Sequence, residues 1–333
     1  MSLRRDYVLT PQTLYIGGGT PSLYAPLDLG DLVATAKEVW KVDFKEVTVE
    51  INPEDATDAY LGAIAKSGVN RLSFGIQSFF DEHLRFMNRR HNAAQGIKAV
   101  QSARRLGFSN VSVDLIFGFR GLTHDQWRQN LEQALALFPQ HLSAYQLSME
   151  PGTPFYKAFR KGLLPPVDDE VAAHQYALLQ EVLSAARFSQ YEVSNFALQG
   201  YRSMHNSFYW NGTPYLGLGP SAHSYNGYIR HANVANVRTY IERIGEGAVA
   251  AKGARLTPVK RYNEFVMTRL RRAEGFLLQE LRHHVRDPRH LHYFEQASAR
   301  LLERGLLIKE EGCIKIPPAK WFVMDGIIVD LLV

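Results

Sequence analysis

The run YIGGGTPS at 15–22 sets three consecutive glycines directly after a short β-branched and aromatic stretch. Bare backbone of this kind can come close to the carboxylate or ammonium of a small polar ligand. The turn is no phosphate loop, because no Gly-Lys-Ser or Gly-Lys-Thr follows it. It is no dinucleotide fingerprint either, because Thr20-Pro21 replaces the expected later glycine. Further along, Glu50, Gln77, Asp114 and Gln146 place carboxylate and amide acceptors, which suit hydroxyl groups, at the ends or on the faces of successive apolar runs. A second cluster lies in MHNSFYWNG at 204–212, where His205 and Asn206 are followed by Tyr209 and Trp210. An imidazole beside aromatic faces can ligate a metal, and the same four residues equally suit a loop fastened by hydrogen bonds and packing.

The elements that must position these residues recur about every 30 residues up to about residue 150, as short β-branched runs alternating with amphipathic stretches, which marks βα units. Strands are expected at Thr13 to Ile16, Val47 to Ile51, Arg71 to Ile76, Val111 to Phe117 and Leu142 to Leu147. Helices are expected at Leu29 to Trp40, Asp58 to Ser67 and Gln95 to Leu106, with Gly68 and Gly107 as stops and Thr123 with Gln126 as a capping box. In a βα barrel the strand ends converge on one rim, which would gather the glycine turn, Glu50, Gln77, Asp114 and Gln146; each alone could as well begin a turn or cap a helix. A helix over 168–187, a strand-like YEVSNFA at 191–197 and an aromatic, glycine-rich tract to about 228 follow, the last read as cover for the barrel mouth. From about Ala251 the pattern turns to Arg-rich helices and a hairpin signal at 306–316, resembling a small winged-helix-like domain. The expected organisation is therefore α/β, with a barrel and its cover over 1–250 and a helical, winged-helix-like domain over 251–333.

The 333 residues, 46% of them hydrophobic, suffice for a large core, and a formal net charge of +5 hints at anionic ligands without demanding nucleic acid. No run reaches the roughly 18 apolar residues of a membrane span, and the polar start, Met1 to Asp6, has no signal-peptide core, so the cytoplasm and no stable membrane insertion are expected. The lone Cys313 excludes an internal disulfide and any metal site built from three or four thiolates of this chain. His223, beside Gly217, Gly219 and Pro220, is a further candidate ligand or a turn residue, and His283, His284, His290 and His292 read as a solvated basic face.

The GGGTP turn, VEINPE at 49–54, SFGIQSF at 73–79 and DLIFGF at 114–119, in this order and spacing, resemble the coproporphyrinogen-oxidase-like branch of radical-SAM proteins. The likeness continues through HLSAYQLSMEPGTPF at 141–155, YEVSNFA, MHNSFYWNG and LGLGPSAHSY at 216–225, and so covers nearly the whole chain. It implies an open (β/α)6-type barrel. It also implies that Gly18, Gly19 and Thr20 hold the methionine moiety of S-adenosylmethionine, that Glu50 and Gln77 bind further along it, and that Arg89 and Asp114 line the rest of the pocket. For the cation, Arg90 competes with Arg89. The HNxxYW pattern of His205, Asn206, Tyr209 and Trp210 is similar to that of the HemW haem chaperones, in which case His205 is a candidate haem-iron ligand and Asn206 could orient its ring.

This sequence departs from the family in two places. The CxxxCxxC loop that binds a 4Fe-4S cluster is absent, which reads as a missing first βα unit in a fragment or incomplete gene product, with natural loss as the other explanation. Arg120 stands where the family has proline in its FGLPG-like turn. What the resemblance implies is a chaperone that binds haem and passes it to an acceptor protein, with S-adenosylmethionine and the cluster in the intact protein. Without the cluster, radical chemistry by this chain is not expected. The alternative is an oxygen-independent coproporphyrinogen III oxidase. A nucleic-acid module, suggested by Arg286, Arg289, Arg300 and Arg304 in the winged-helix-like region, is not expected. An open barrel edge would favour a homodimer.

Overall fold

The computed structural model describes residues 10–164, 168–248 and 251–333, so the polar start at Met1 to Asp6 lies outside the described residues. Contacts divide the chain into two compact units, Gln12–Ser203 and a second containing Met204–Val333. The sequence pattern changes at 251, whereas the contacts divide the chain after Ser203.

In the first unit, β1 (Thr13–Ile16), β2 (Glu46–Ile51), β3 (Arg71–Gln77), β4 (Val111–Phe117) and β5 (His141–Gln146) pair in sequence order, all parallel. A hairpin of β6 (Ser189–Glu192) and β7 (Asn195–Ala197) completes a seven-stranded curled sheet by pairing β7 antiparallel to β5. The crossovers carry α1 (Pro26–Trp40), α2 (Asp58–Ile64), α3 (Asp81–Phe86), α4 (Ala93–Arg105) and α5 (His124–Ala136), and α6 (Pro154–Arg160) with α7 (Asp169–Ala185) precede the hairpin. The five strands expected before residue 150 are present to within a residue at each end, whereas the strand-like YEVSNFA at 191–197 folds as the end of β6, a turn and β7. The helix expected at 58–67 stops at Ile64, and Gly68 at φ +85° turns the chain toward β3. Capping boxes at Asn92–Gln95 and Thr123–Gln126 start α4 and α5.

Two-residue alternation gives the sheet two unlike faces. One carries Val47, Val49, Ile51, Leu72, Phe74, Ile76, Val111, Val113 and Leu115, all 2% exposed or less, and α4, α5 and α7 pack on the sheet. Each such side chain contributes about 1.5–3 kcal/mol by leaving water. The other face carries Glu46, Thr48, Arg71, Ser73, Ser112, His141 and Ser143, polar yet buried. Burying polar groups costs free energy unless they find partners, and here they do: Ser112 bonds His141, His141 bonds the Tyr191 hydroxyl, and Ser203 donates to Glu46.

The second unit holds α8 (Met204–Trp210), an antiparallel sheet of β8 (His223–Tyr225), β9 (Ile229–Asn233) and β10 (Ala251–Arg255), and α9 (Val237–Gly245). It continues with α10 (Pro258–Leu270), β11 (Phe276–Leu277), α11 (Leu278–His284), α12 (Pro288–Glu303), the hairpin β12 (Ile308–Glu310) to β13 (Cys313–Lys315), and α13 (Met324–Val329). The order helix, strand, two helices, two-stranded wing, with β13 central in the three-stranded sheet, is that of a winged helix. Glu311 at φ 51° and Gly312 at φ 82° make the tight wing turn that the EEGC sequence signals.

Candidate functional site

At the C-terminal ends of β1 to β4 the glycine turn meets Glu50. The Tyr15 hydroxyl donates to Glu50 Oε1 at 2.7 Å and the Gly18 amide donates to Oε2 at 3.0 Å. A Cβ on Gly17 would lie 2.4 Å from the Tyr15 ring and 2.7 Å from Glu50 Oε1, so a side chain there would have to displace the bonded Tyr15–Glu50 pair. Gly18 and Gly19 take φ +80° and +63°, and nothing stands within 4 Å of where their Cβ atoms would be. Burial, then the charge of Glu50, drives the Tyr15 phenol far up in pKa, so it is a fixed donor to the carboxylate.

On β3, Gln77 adopts φ +66° at a break in register with β4, and the Ser78 amide donates back to the Ile76 carbonyl at 2.8 Å. A non-glycine residue in this region costs about 1–2 kcal/mol, a strain met at ligand-binding turns. Neighbours hold it: His91 Nε2 hydrogen-bonds Ile76 O at 3.1 Å, and Asn130 Oδ1 accepts from Ser78 Oγ and the Phe79 amide. Gln77 and Arg89 converge over Gly75, where a Cβ would lie 3.0 Å from Gln77 Nε2 and 3.2 Å from Arg89 Nη2. Arg89 donates to Asn52 Oδ1 at 2.8 Å and to Gly75 O at 3.1 Å, whereas Arg90 faces outward with its side chain 59% exposed, paired with Glu54 at 2.8 Å. Of the two competing cations, Arg89 is the inward one.

Asp114 on β4 sits in a ring of hydroxyls, accepting from Ser73 at 3.2–3.3 Å and Ser112 at 3.4 Å, with Ser143 opposite it in register. Burial pushes its carboxyl up to about 6; hydrogen bonding from Ser143 and the charge of Arg71 oppose this, and Glu50 adds to it. Gln146 is exposed and lies against Gly118, outside this cluster. The loop after β4 is held from α7, where the Gln175 amide accepts from Gly118 N at 2.9 Å and donates to Leu122 O at 3.0 Å.

Tyr15, Asn52, Ser73, Arg71 and His91 escaped the sequence reading. For Arg71 and Ser73 the available signal was the alternation in EVTVEI, RLSFGIQ and VSVDLIF, which sets polar residues on one face; Tyr15, Asn52 and His91 lie outside those runs.

The chemistry of this rim fits S-adenosylmethionine. The open side of the glycine turn can receive an amino acid moiety, Glu50 keeps a lone pair on each oxygen for hydroxyls, and Gln77, Arg89 and Asp114 offer further polar contacts. The cluster does not fit the residues present: the one cysteine, Cys313, stands on β13 in the other unit, and a single thiolate cannot hold four irons.

The second set stands on α8. His205 and Tyr209, four apart, share a face, with Nε2 3.1 Å from the Tyr209 hydroxyl and the rings edge-on at 4.9 Å. Asn206 and Trp210 occupy the next face. The Arg269 guanidinium donates to the carbonyls of Trp210 and Asn211, and Arg271 lies 5.8 Å from the Trp210 ring. His223 opens β8 at the surface. Of the C-terminal histidines expected on a solvated face, His283 and His292 are exposed, but His284 is half-buried with its ring 5.1 Å from Phe265, and His290 Nδ1 is buried against Tyr262 without a hydrogen-bond partner. Helix packing, invisible in the composition, turned them inward.

The profile of the Radical SAM superfamily matches residues 9–134, the span carrying the glycine turn, Glu50, Gln77, Arg89 and Asp114. The chain is 39% identical over 237 residues to the heme chaperone HemW of Bacillus subtilis, covering 71% of this chain and 62% of that protein. It is 33% identical over 276 residues to HemW of Lactococcus lactis, covering 81% and 71%. In three dimensions it resembles Escherichia coli coproporphyrinogen III oxidase, HemN, a radical SAM enzyme, with a TM-score of 0.80 at 21% identity over 96% of this chain and 77% of that one, which establishes the fold. This chain spans less than two thirds of the length of the Bacillus relative. With a radical-SAM half-barrel, the polar rim and identity along most of its length, the chain belongs to the HemW-type family of radical-SAM proteins.

Proposed function

We propose that the protein binds haem and transfers it to an acceptor protein in the cytoplasm, holding S-adenosylmethionine at the rim formed by Gly18, Gly19, Thr20, Glu50, Gln77, Arg89 and Asp114. In this reading a 4Fe-4S cluster acts with that cofactor in the intact protein, on cysteines from outside these residues. The observation that carries it is α8, which gathers His205, Asn206, Tyr209 and Trp210 on one short helix in a chain whose relatives are named haem chaperones. Imidazole ligates haem iron, and Tyr and Trp faces pack against a macrocycle. Among the described residues no helix is long and apolar enough to cross a membrane.

Haem titration of the chain beside His205→Ala, read by absorption in the Soret region, tests this. Saturable binding by the wild type, weakened or spectrally altered in the variant, is expected. A folded wild type that binds no haem would overturn the reading, as would decarboxylation of coproporphyrinogen by a cluster-bearing longer form.

A further inference from the structure

Arg89, Arg90 and His91 reach in succession toward the short turn Pro53–Asp55 that follows β2. Arg89 donates to Asn52 Oδ1 at 2.8 Å, Arg90 pairs with Glu54 Oε1 at 2.8 Å, and His91 Nδ1 stands 3.3 Å from Glu54 Oε2. The same turn is tied to the glycine side of the rim. There the hydroxyl of buried Ser22 donates to Asp55 Oδ2 at 2.7 Å and accepts from the Asn52 amide at 3.1 Å. The glycine turn and the Gln77 turn therefore share one support, and His91 carries that support to the backbone beside Gln77.

The His91 side chain is 0% exposed. Its Nε2 lies 3.1 Å from the Ile76 carbonyl, which can only accept, so Nε2 carries the hydrogen and donates it. That carbonyl also accepts from the Ser78 amide, closing a turn around Gln77 at φ +66°, and turns of this hand are rare and strained. At the other edge of the ring, Nδ1 and Glu54 Oε2 have no other hydrogen-bond partner, and a proton between them draws the pair together. The ring is thus fixed from both sides, by a side chain from beyond β2 and by the carbonyl whose direction sets the turn. What the turn decides is the place of one amide, since Gln77 Nε2 comes over Gly75 beside Arg89 Nη2.

We propose that His91 is a positioning residue for Gln77. By donating to the Ile76 carbonyl it holds the strained turn in the one form that presents the Gln77 amide to the ligand at the rim. The proposal rests on the reading of that rim as an S-adenosylmethionine site and adds to it a residue that acts through Gln77 without touching the ligand.

The test is calorimetric titration of the full 333-residue chain with S-adenosylmethionine, in a double-mutant cycle of His91→Asn and Gln77→Ala. Asparagine is too short to reach Ile76, and losing that bond is expected to weaken binding about 10-fold. His91→Gln, whose amide reaches the place of Nε2, should recover most of the affinity, and His91→Asn should add little once Gln77 is alanine. Leu183→Ala, at a buried position near the end of α7, lowers stability without touching these bonds and should leave the affinity unchanged. Circular dichroism checks that each variant is folded. Losses that add across the cycle, an equal loss in His91→Gln or in Leu183→Ala, or wild-type affinity in His91→Asn beside an impaired Gln77→Ala would overturn the proposal and leave the S-adenosylmethionine reading standing. A folded wild type that binds no S-adenosylmethionine would overturn both.

Discussion

Asp114→Asn isolates the cost of keeping a charge among the strands. An aspartate in an unfolded chain titrates near ~3.9, and in the folded chain burial pushes Asp114 up to about 6. At 1.36 kcal/mol per pH unit, the difference amounts to about 3 kcal/mol held against folding once the group is ionised in both states. Between about pH 4 and pH 6 the native chain retains a proton that the unfolded chain has released, so this group's effect is to lower stability as pH rises through that window and to leave it level above. Asparagine keeps an acceptor for Ser73 and Ser112 but carries no charge. Because the residue keeps some exposure, about 1–3 kcal/mol is the realistic gain at pH 8, shrinking to near zero at pH 4. Urea unfolding followed by circular dichroism, at pH 4, 6 and 8 for both proteins, measures the difference, in which the other titrating groups cancel. A variant no more stable than wild type at pH 8, or a gain that grows toward low pH, would refute the assignment of a buried, unfavourable carboxylate. Such a cost is what the proposed S-adenosylmethionine contact would ask of this position.

Two further perturbations test the rim. Gly17→Ala drives a Cβ into Tyr15 and Glu50 and should cost about 1–3 kcal/mol, as overpacking does, with a lower urea midpoint; an unchanged midpoint would mean that the turn is free to move. Arg89→Ala should cost about 1.5–3 kcal/mol because it removes charge-assisted bonds to Asn52 and Gly75, whereas Arg90→Ala, at an exposed pair, should cost under about 1 kcal/mol. The reverse order in thermal melts would place the wrong arginine inward.

Most of the sheet was legible because its signal is local. β-branched runs such as VSVDLIF and stops such as Gly107, at φ +94°, act over a few residues. The strand residues Glu50, Gln77 and Asp114 were visible for the same reason, since a polar residue interrupting an apolar run stands out without knowledge of its partners. Sequence could not choose between Arg89 and Arg90: both follow a short helix, and only the position of Asn52 beside the Gly75 carbonyl decides which turns inward.

The sequence by itself determined the parallel βα order, the glycine turn, the wing and the family motifs, since each is written in neighbouring residues and in the spacing between them. Tertiary structure decided what those elements enclose. The hydroxyl ring around Asp114 draws on three strands in register, the positive φ of Gln77 is held by His91 and Asn130 from other elements, and the pKa of half-buried His284 is lowered by burial and by Arg261 and Arg269, which α10 brings against it with Phe265. Burial and electrostatic fields are sums over groups far apart in the chain, so the chemistry of a site emerges where the fold brings those groups together.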